Sequence, residues 1–339
     1  MVQYKKSDAR AWTRENMKGV ANVVIPSYTQ DLEKLSEKGI RHDIRTCINY
    51  GFWGTLLVSE VAITVDEYTQ FVRWSHDEAG GKIKLIHHAG FGTLKENIVA
   101  VHAAEKAGAD VVLLGYPQNF FATTSQQIYD YTKAFCDSTN LGVILFPVPH
   151  WGFERIHPAG MDPELVKKIV KDIPNIVCIK AEAGMPTPAG FVEAWKNHAH
   201  EVIVTCPLEA DAIPFMGFVP MQFSGTSNTG YFGDVVPKMF NFARDGKFDE
   251  AMKLYWQIHP ARMAQKNAGN SYMPGTSVIN RADWKYQNWL AGFNGGPLRQ
   301  PTMKIVDRNM RILRDGLKKS GLTVTDDPDS EYFVSRNPE

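Results

Sequence analysis

Residues 142–180 hold the passage that decides the fold. Gly142-Val143-Ile144-Leu145-Phe146 is a short apolar run, Pro163 to Val170 is an amphipathic stretch, and Ile176-Val177-Cys178-Ile179-Lys180 is a second apolar run. A helix-period segment between two such runs is the pattern of parallel strands joined by a crossover helix. Lys180 is the anomaly in the passage. Burying an unpaired ammonium costs several kcal/mol, so a lysine closing a buried strand tends to lose its proton, and the neutral amine can attack a ketone to form a Schiff base. The plain alternative is a lysine that leaves the strand and points into water.

The same alternation runs outward on both sides. Strands are predicted at Asn22 to Ile25, Gly54 to Val58, Lys82 to His87, Asp110 to Leu114, Gly142 to Phe146, Ile176 to Lys180, Glu201 to Thr205 and Met221 to Ser224. Helices are predicted between them at Leu32 to Asn49, Val65 to His76, Leu94 to Ala107, Ser125 to Cys136, Pro163 to Val170, Pro188 to Asn197 and Leu208 to Gly217. Eight such units make an α/β fold, a (β/α)8 TIM barrel over residues 1–230, the economical reading. A doubly wound open sheet is the runner-up, although no Gly-x-Gly-x-x-Gly follows the first strand. Residues 231–325 then read as helix alone, at Val235 to Arg244, Phe248 to Gln265, Arg281 to Gly292 and Thr302 to Ser320, a C-terminal helical extension. Residues 326–339 are charged and proline-containing and read as a loose or partner-bound tail.

Composition bounds the partners. Of 339 residues 44% are hydrophobic, enough for a large core, and Lys plus Arg balances Asp plus Glu at 37 each. No global field would draw nucleic acid or an anionic membrane, and a small-molecule substrate fits better. Cys47, Cys136, Cys178 and Cys206 are scattered without zinc or disulfide spacing. The N-terminal stretch has no signal-peptide core and no run reaches membrane-span length, so the chain is expected to be cytoplasmic.

In a barrel, catalytic groups come from the C-terminal ends of the strands. That ring holds Ser27, Ser59 and Glu60, His87 and His88, Tyr116, Phe146 and His150, Lys180 and Glu182, Cys206 and Glu209, and Ser224, Thr226 and Asn228. One amine among hydroxyls, imidazoles and carboxylates suits carbon–carbon bond chemistry through an enamine, with a neighbour moving protons. Each histidine alone also reads as a hydrogen-bonded structural residue.

Several separated blocks resemble the dihydrodipicolinate synthase and N-acetylneuraminate lyase superfamily of class I Schiff-base lyases. Ala109-Asp110-Val111-Val112-Leu113 is similar to its fourth strand and Gly142 to Pro149 to its fifth. Pro174 to Lys180 is similar to the strand bearing its Schiff-base lysine. Ser224-Gly225-Thr226-Ser227-Asn228 keeps its Ser-x-x-x-Asn, and Gly295 to Pro301 is similar to its closing Gly-Pro-x-Arg-x-Pro. The resemblance spans about Val20 to Pro301. It implies a barrel, an imine on Lys180 and a homo-oligomer, either dimer or tetramer, and the chemistry requires no cofactor and no metal. Two departures stand out. Leu56-Leu57-Val58-Ser59-Glu60 replaces the family's Gly-Thr-Thr-Gly-Glu, which binds the carboxylate of pyruvate, and Phe146 stands where the family carries its proton-relaying tyrosine.

Lys180, His88 and His150 are therefore the candidate catalytic residues, and Ser59, Glu60, Tyr116, Phe146, Trp151, Glu209, Ser224 and Thr226 the candidate substrate-binding residues. Phe91, Phe120, Phe121, Phe146 and Trp151 fall on strand-end loops. An aromatic mouth favours a hydrophobic or aromatic substrate, as in hydratase-aldolases, although the same rings serve equally to cover the barrel end. Two other readings stay open. One is a catalytically altered member that binds a small molecule without turnover. The other is a metal-dependent barrel using Glu60, His87, His88 and Glu209, against which adjacent His87 and His88 should face opposite sides of their strand. Trp284, Tyr286 and Trp289 read either as subunit-contact aromatics or as packing against the chain's own barrel.

Overall fold

A computed structural model describes all residues except 1–2, 149–150, 183–189, 269–271, 274–277 and 303. The strands are β1 (Gly19–Val24), β2 (Gly54–Leu57), β3 (Lys84–Ala89), β4 (Val111–Leu114), β5 (Gly142–Leu145), β6 (Ile176–Lys180), β7 (Ile203–Thr205) and β8 (Phe223–Ser224). The helices of the alternating part are α1 (Ala9–Asn16), α2 (Glu37–Asn49), α3 (Val65–Ala79), α4 (Leu94–Ala107), α5 (Ser125–Asp137), α6 (Pro163–Asp172), α7 (Phe191–His198) and α8 (Glu209–Phe215). The C-terminal region adds α9 (Val235–Arg244), α10 (Phe248–Gln257), α11 (His259–Asn267), α12 (Arg281–Leu290), α13 (Asp307–Lys319) and α14 (Glu331–Val334).

The strands are parallel and neighbour one another in the order β7-β6-β5-β4-β3-β2-β1-β8, so the seam lies between β7 and β8. Two side-chain hydroxyls bridge it. Thr205 Oγ1 donates to the Phe223 carbonyl at 2.7 Å and Ser224 Oγ donates to the Cys206 carbonyl at 2.8 Å. Each satisfies a carbonyl that a continuous ladder would have paired, and the sheet closes into a (β/α)8 barrel instead of lying open.

Local signals set the helix starts. Thr64 and Thr124 each form a reciprocal capping box, with Glu67 and Gln127, and Ser36, Thr93 and Asp162 cap α2, α4 and α6. The Ser36 cap is why α2 begins at Glu37 and not at Leu32, as predicted. The helix predicted over Phe248 to Gln265 is two helices. Pro260 has no N–H to give a continuing helix and sits instead in the first turn of α11, where none is needed.

One end of the barrel is plugged. Tyr4 and α1 lie across the strand starts: the Tyr4 hydroxyl donates to the Asp110 carbonyl at 2.7 Å and accepts from Gly142 N–H at 2.8 Å. Arg10 Nε donates to the Ile176 carbonyl at 2.9 Å, and Gln222 Nε2 to that of Met17 at 2.9 Å. The opposite, C-terminal end is left for chemistry.

α12 is buried along nearly its whole length although it carries Arg281, Asp283, Lys285, Gln287 and Asn288. It runs along the C-terminal rim. Lys285 Nζ donates to the Pro26 carbonyl beyond β1 at 2.8 Å, and Asn228 Nδ2 beyond β8 donates to Gln287 Oε1 at 3.3 Å. Burial pushes the Lys285 ammonium down and the nearby Asp43 carboxyl up, each opposed by the charge of the other. Tyr286 and Trp289 are fully buried and meet Tyr332 edge-on, so these two aromatics pack within the chain and do not present a subunit face.

The last residues, predicted as a loose tail, are packed in this structure. Tyr332 is buried, Arg336 donates to the Phe293 and Trp289 carbonyls, and Glu339 Oε2 accepts from Ser36 Oγ at 2.8 Å. The polar composition that suggested looseness is used in hydrogen bonds. No described helix is long and apolar enough to cross a membrane.

Candidate active site

Lys180 ends β6 inside the barrel and is 4% exposed. Its Nζ lies 3.6 Å from the centre of the Phe146 ring and 3.3 Å from Glu182 Oε1. Burial disfavours the charged amine and dominates, lowering its pKa from the ordinary lysine value; Glu182 opposes the shift, Arg281 adds to it and Glu60 opposes it. The Phe146 phenyl that stands where the family carries a tyrosine thus becomes an apolar face under the amine, with weak cation–π support for whatever charge remains.

Beside the lysine lies a set of groups from three elements. Ser59 and Glu60 follow β2, His88 lies on β3, and Arg281 opens α12. Glu60 Oε2 pairs with Arg281 Nη2, and Glu60 Oε1 lies 3.7 Å from His88 Nε2. His88 Nδ1 accepts from the Ser59 N–H at 3.3 Å, which leaves the ring proton on Nε2, facing Glu60. Burial, aided by Arg281 and Lys180, pushes the His88 imidazole down to about 4 against the pull of Glu60, so it is neutral at physiological pH. Ser59 Oγ donates to the His88 carbonyl at 2.8 Å and accepts from Gly90 N–H at 3.2 Å, which locks the two strand ends together.

A cleft of about 690 Å3 opens from this cluster. Glu60 and Arg281 form part of its wall, with Ser59, Phe91, Tyr116 and Gln118 among the other lining residues. Lys180 is not on that wall. The charges of Glu60 and Arg281 nonetheless reach it.

The Tyr116 phenol is tied to Thr132 Oγ1 at 2.6 Å, on the helical side, and the residue lines the cleft. Trp151 Nε1 donates to the Phe146 carbonyl at 2.7 Å, and the two rings meet edge to face. The Ser224 hydroxyl spans the barrel seam. Thr226 Oγ1 is buried without a hydrogen-bond partner among the described residues. Glu209 is paired with Arg262 on α11 at 2.7 Å, apart from the Glu60–His88 pair. His150 lies outside the described residues. Of the loop aromatics, Phe120 stacks on Tyr116, Phe91 packs against Tyr68, and Phe121 is exposed beneath the Arg155 guanidinium.

His87 faces away from the barrel interior. The Tyr68 hydroxyl donates to the Leu57 carbonyl and accepts from the His88 N–H, so His87 Nδ1 donates to that oxygen at 3.0 Å. Glu60, His87, His88 and Glu209 therefore do not converge, and no cluster of metal-ligating side chains occurs among the described residues. Burial pushes His87 down to about 3. Both histidines titrate lower folded than unfolded, so between about pH 4 and 6.5 the unfolded chain binds more protons and stability rises with pH. Each histidine contributes a slope of up to about 1.4 kcal/mol per pH unit. Urea midpoints should fall from pH 6.5 to 5, and His87→Asn should flatten that fall. An unchanged slope would contradict the account.

Arg281 is a site residue that sequence reasoning misses. It lies far from the strand ends in sequence, on a stretch that reads as an ordinary amphipathic helix, and the one available signal was a helix unusually rich in charge and amide groups for its apolar content. Glu182 was legible as a member of the strand-end ring.

A closed eight-stranded barrel whose sixth strand ends in a buried, deprotonation-prone lysine defines a class I aldolase-type lyase. Residues 16–291 match the dihydrodipicolinate synthetase family, and the chain belongs to it. It is 23% identical to the 4-hydroxy-tetrahydrodipicolinate synthase of Methanococcus aeolicus, covering 90% of this chain and 100% of that one. It is 24% identical to the synthase of the same name from Clostridium perfringens, covering 90% and 99%. Among solved structures, dihydrodipicolinate synthase from Aquifex aeolicus superposes with a TM-score of 0.76 at 18% identity, covering 91% of this chain and 100% of that one. N-acetylneuraminate lyase from Fusobacterium nucleatum superposes with a TM-score of 0.72 at 18% identity, covering 89% and 98%. At these identities the structural likeness speaks to the fold.

Proposed function

We propose that this family member is a Schiff-base lyase that cleaves, forms or hydrates a bond next to the carbonyl of a 2-oxo acid carrying an apolar or aromatic substituent. The observation that carries the reading is Lys180: an amine enclosed by a phenyl ring, with its proton disfavoured by burial, at the strand end that a barrel uses for catalysis. The neutral amine adds to the ketone carbon, water leaves, and the cationic imine draws electrons from the neighbouring carbon. Breaking or making a bond there then passes through an enamine.

With no phenol at position 146 and that of Tyr116 committed to Thr132, the described proton carriers that interact with the amine are Glu182, at 3.3 Å, and, through their charges, Glu60 and His88. We assign the proton transfers to His88 acting with Glu60. The rings of Tyr116, Phe120, Phe146 and Trp151 pack into one group at the mouth and support an aryl or alkyl substituent over a polyhydroxylated one. A homo-oligomer, dimer or tetramer, remains part of the same reading, and the exposed Phe218 and Trp256 are the side chains an assembly would cover.

The test is trapping. Incubation with pyruvate or with aryl-substituted 2-oxo acids, reduction with borohydride and peptide mass spectrometry should place the adduct on Lys180, with aryl compounds trapped at lower concentration than pyruvate. Adducts absent, or spread over surface lysines, would defeat the assignment.

A further inference from the structure

We propose that Arg281 receives the substrate carboxylate and that Glu60 occupies the receiving position until substrate arrives; the proposal rests on the Schiff-base reading of Lys180. The segment after β2 has lost the threonines that would have supplied donors, and Ser59 does not replace them. Its N–H is given to His88 Nδ1 and its hydroxyl proton to the His88 carbonyl. The carboxylate must find its donors elsewhere on the mouth.

Arg281 has them. Its side chain is 7% exposed, it lines the cleft, and what it already holds is a carboxylate, that of Glu60. Its guanidinium lies over the Trp284 ring at 4.5 Å, which limits its freedom. The helix that carries it is anchored at Asn280, whose side chain accepts from the Ala282 and Asp283 N–H groups, and at Lys285 and Gln287. Glu60 Oε2 meets Arg281 at Nη2, and Arg281 Nε–H is buried with no hydrogen-bond partner among the described residues. A guanidinium fork binds a carboxylate best through two parallel N–H bonds. A ligand carboxylate that engages both Nε and Nη therefore gains a bond that Glu60 does not make. Exchange also leaves the Glu60 carboxylate beside His88.

The geometry makes opposite predictions for the two partners of one ion pair. The readout is borohydride trapping on Lys180 of the full-length chain with pyruvate and with methyl pyruvate, which has the same ketone without the charge. The ratio of the two half-saturating concentrations cancels any change in the amine itself. Arg281→Gln should shift that ratio against pyruvate by roughly 10- to 100-fold, the loss expected for a charge-assisted contact. Glu60→Gln, which removes the competitor, should shift it severalfold in favour of pyruvate.

A merely structural pair would move both variants the same way or leave the ratio unchanged, and either outcome overturns the proposal. If Arg281→Gln does not fold, the wild-type chain decides. The ketone of methyl pyruvate is the more electrophilic of the two, so trapping methyl pyruvate as well as or better than pyruvate overturns the proposal, and trapping it more weakly supports it. A wild-type chain that traps neither probe overturns the Schiff-base reading and this proposal together; one that traps both with a ratio unmoved by Arg281→Gln overturns this proposal alone.

Discussion

Replacing Lys180 with arginine is expected to abolish the covalent adduct and to lower turnover by roughly 10^4-fold or more, because arginine keeps the charge and reach but stays protonated and forms no imine. The wild-type rate of adduct formation should also rise at lower pH than it does for an ordinary lysine. The direction follows from opposing influences on one nitrogen. Glu182 at 3.3 Å favours the ammonium, yet it is a single carboxylate at a buried site floored by a phenyl ring, and desolvation outweighs it. A Lys180→Arg variant that retained turnover would end the lyase assignment for this chain. So would a wild-type adduct profile that followed the pKa of a surface lysine.

The second large effect is expected at His88. His88→Gln keeps an acceptor for the Ser59 N–H but has no ring nitrogen to pass a proton, and kcat should fall by about 10^2- to 10^4-fold. Trapping of the first imine should survive, because amine addition depends on Lys180. That split separates a proton carrier from a residue that shapes the pocket. The imidazole is held low by burial, so it works from its neutral form, with Nε2–H toward Glu60, and the carboxylate supplies the basicity that the ring has lost. Loss of trapping together with turnover would mean that His88 only supports the fold. Full turnover in the variant would move the proton work to Glu182 or to His150, which lies outside the described residues.

The strand that carries Lys180 was readable to the residue, since Ile176–Lys180 is both predicted and found. So were Leu94–Ala107, bounded by the Thr93 cap and Gly108, and Val235–Arg244. Errors gathered where a distant contact overrode local preference. The end of the chain reads as loose until Tyr332 and Glu339 find Trp289 and Ser36. Tyr116 reads as a residue of the mouth and lines the cleft, but that Thr132 takes its hydroxyl is a contact that strand and helix periods do not show.

Strand and helix periods, caps and the apolar run ending in one amine are written within a few residues of one another, and hydrogen bonding and burial act on them at that range. The barrel, its catalytic end and its lysine therefore follow from the order of residues alone. Which charges surround that lysine does not. Glu60 and Arg281 stand 221 positions apart and meet because a buried helix lies along the rim of the closed barrel. A pair that exists only through packing leaves no local pattern, and its effect on the amine and the imidazole comes from a shared low-dielectric space that the fold alone creates.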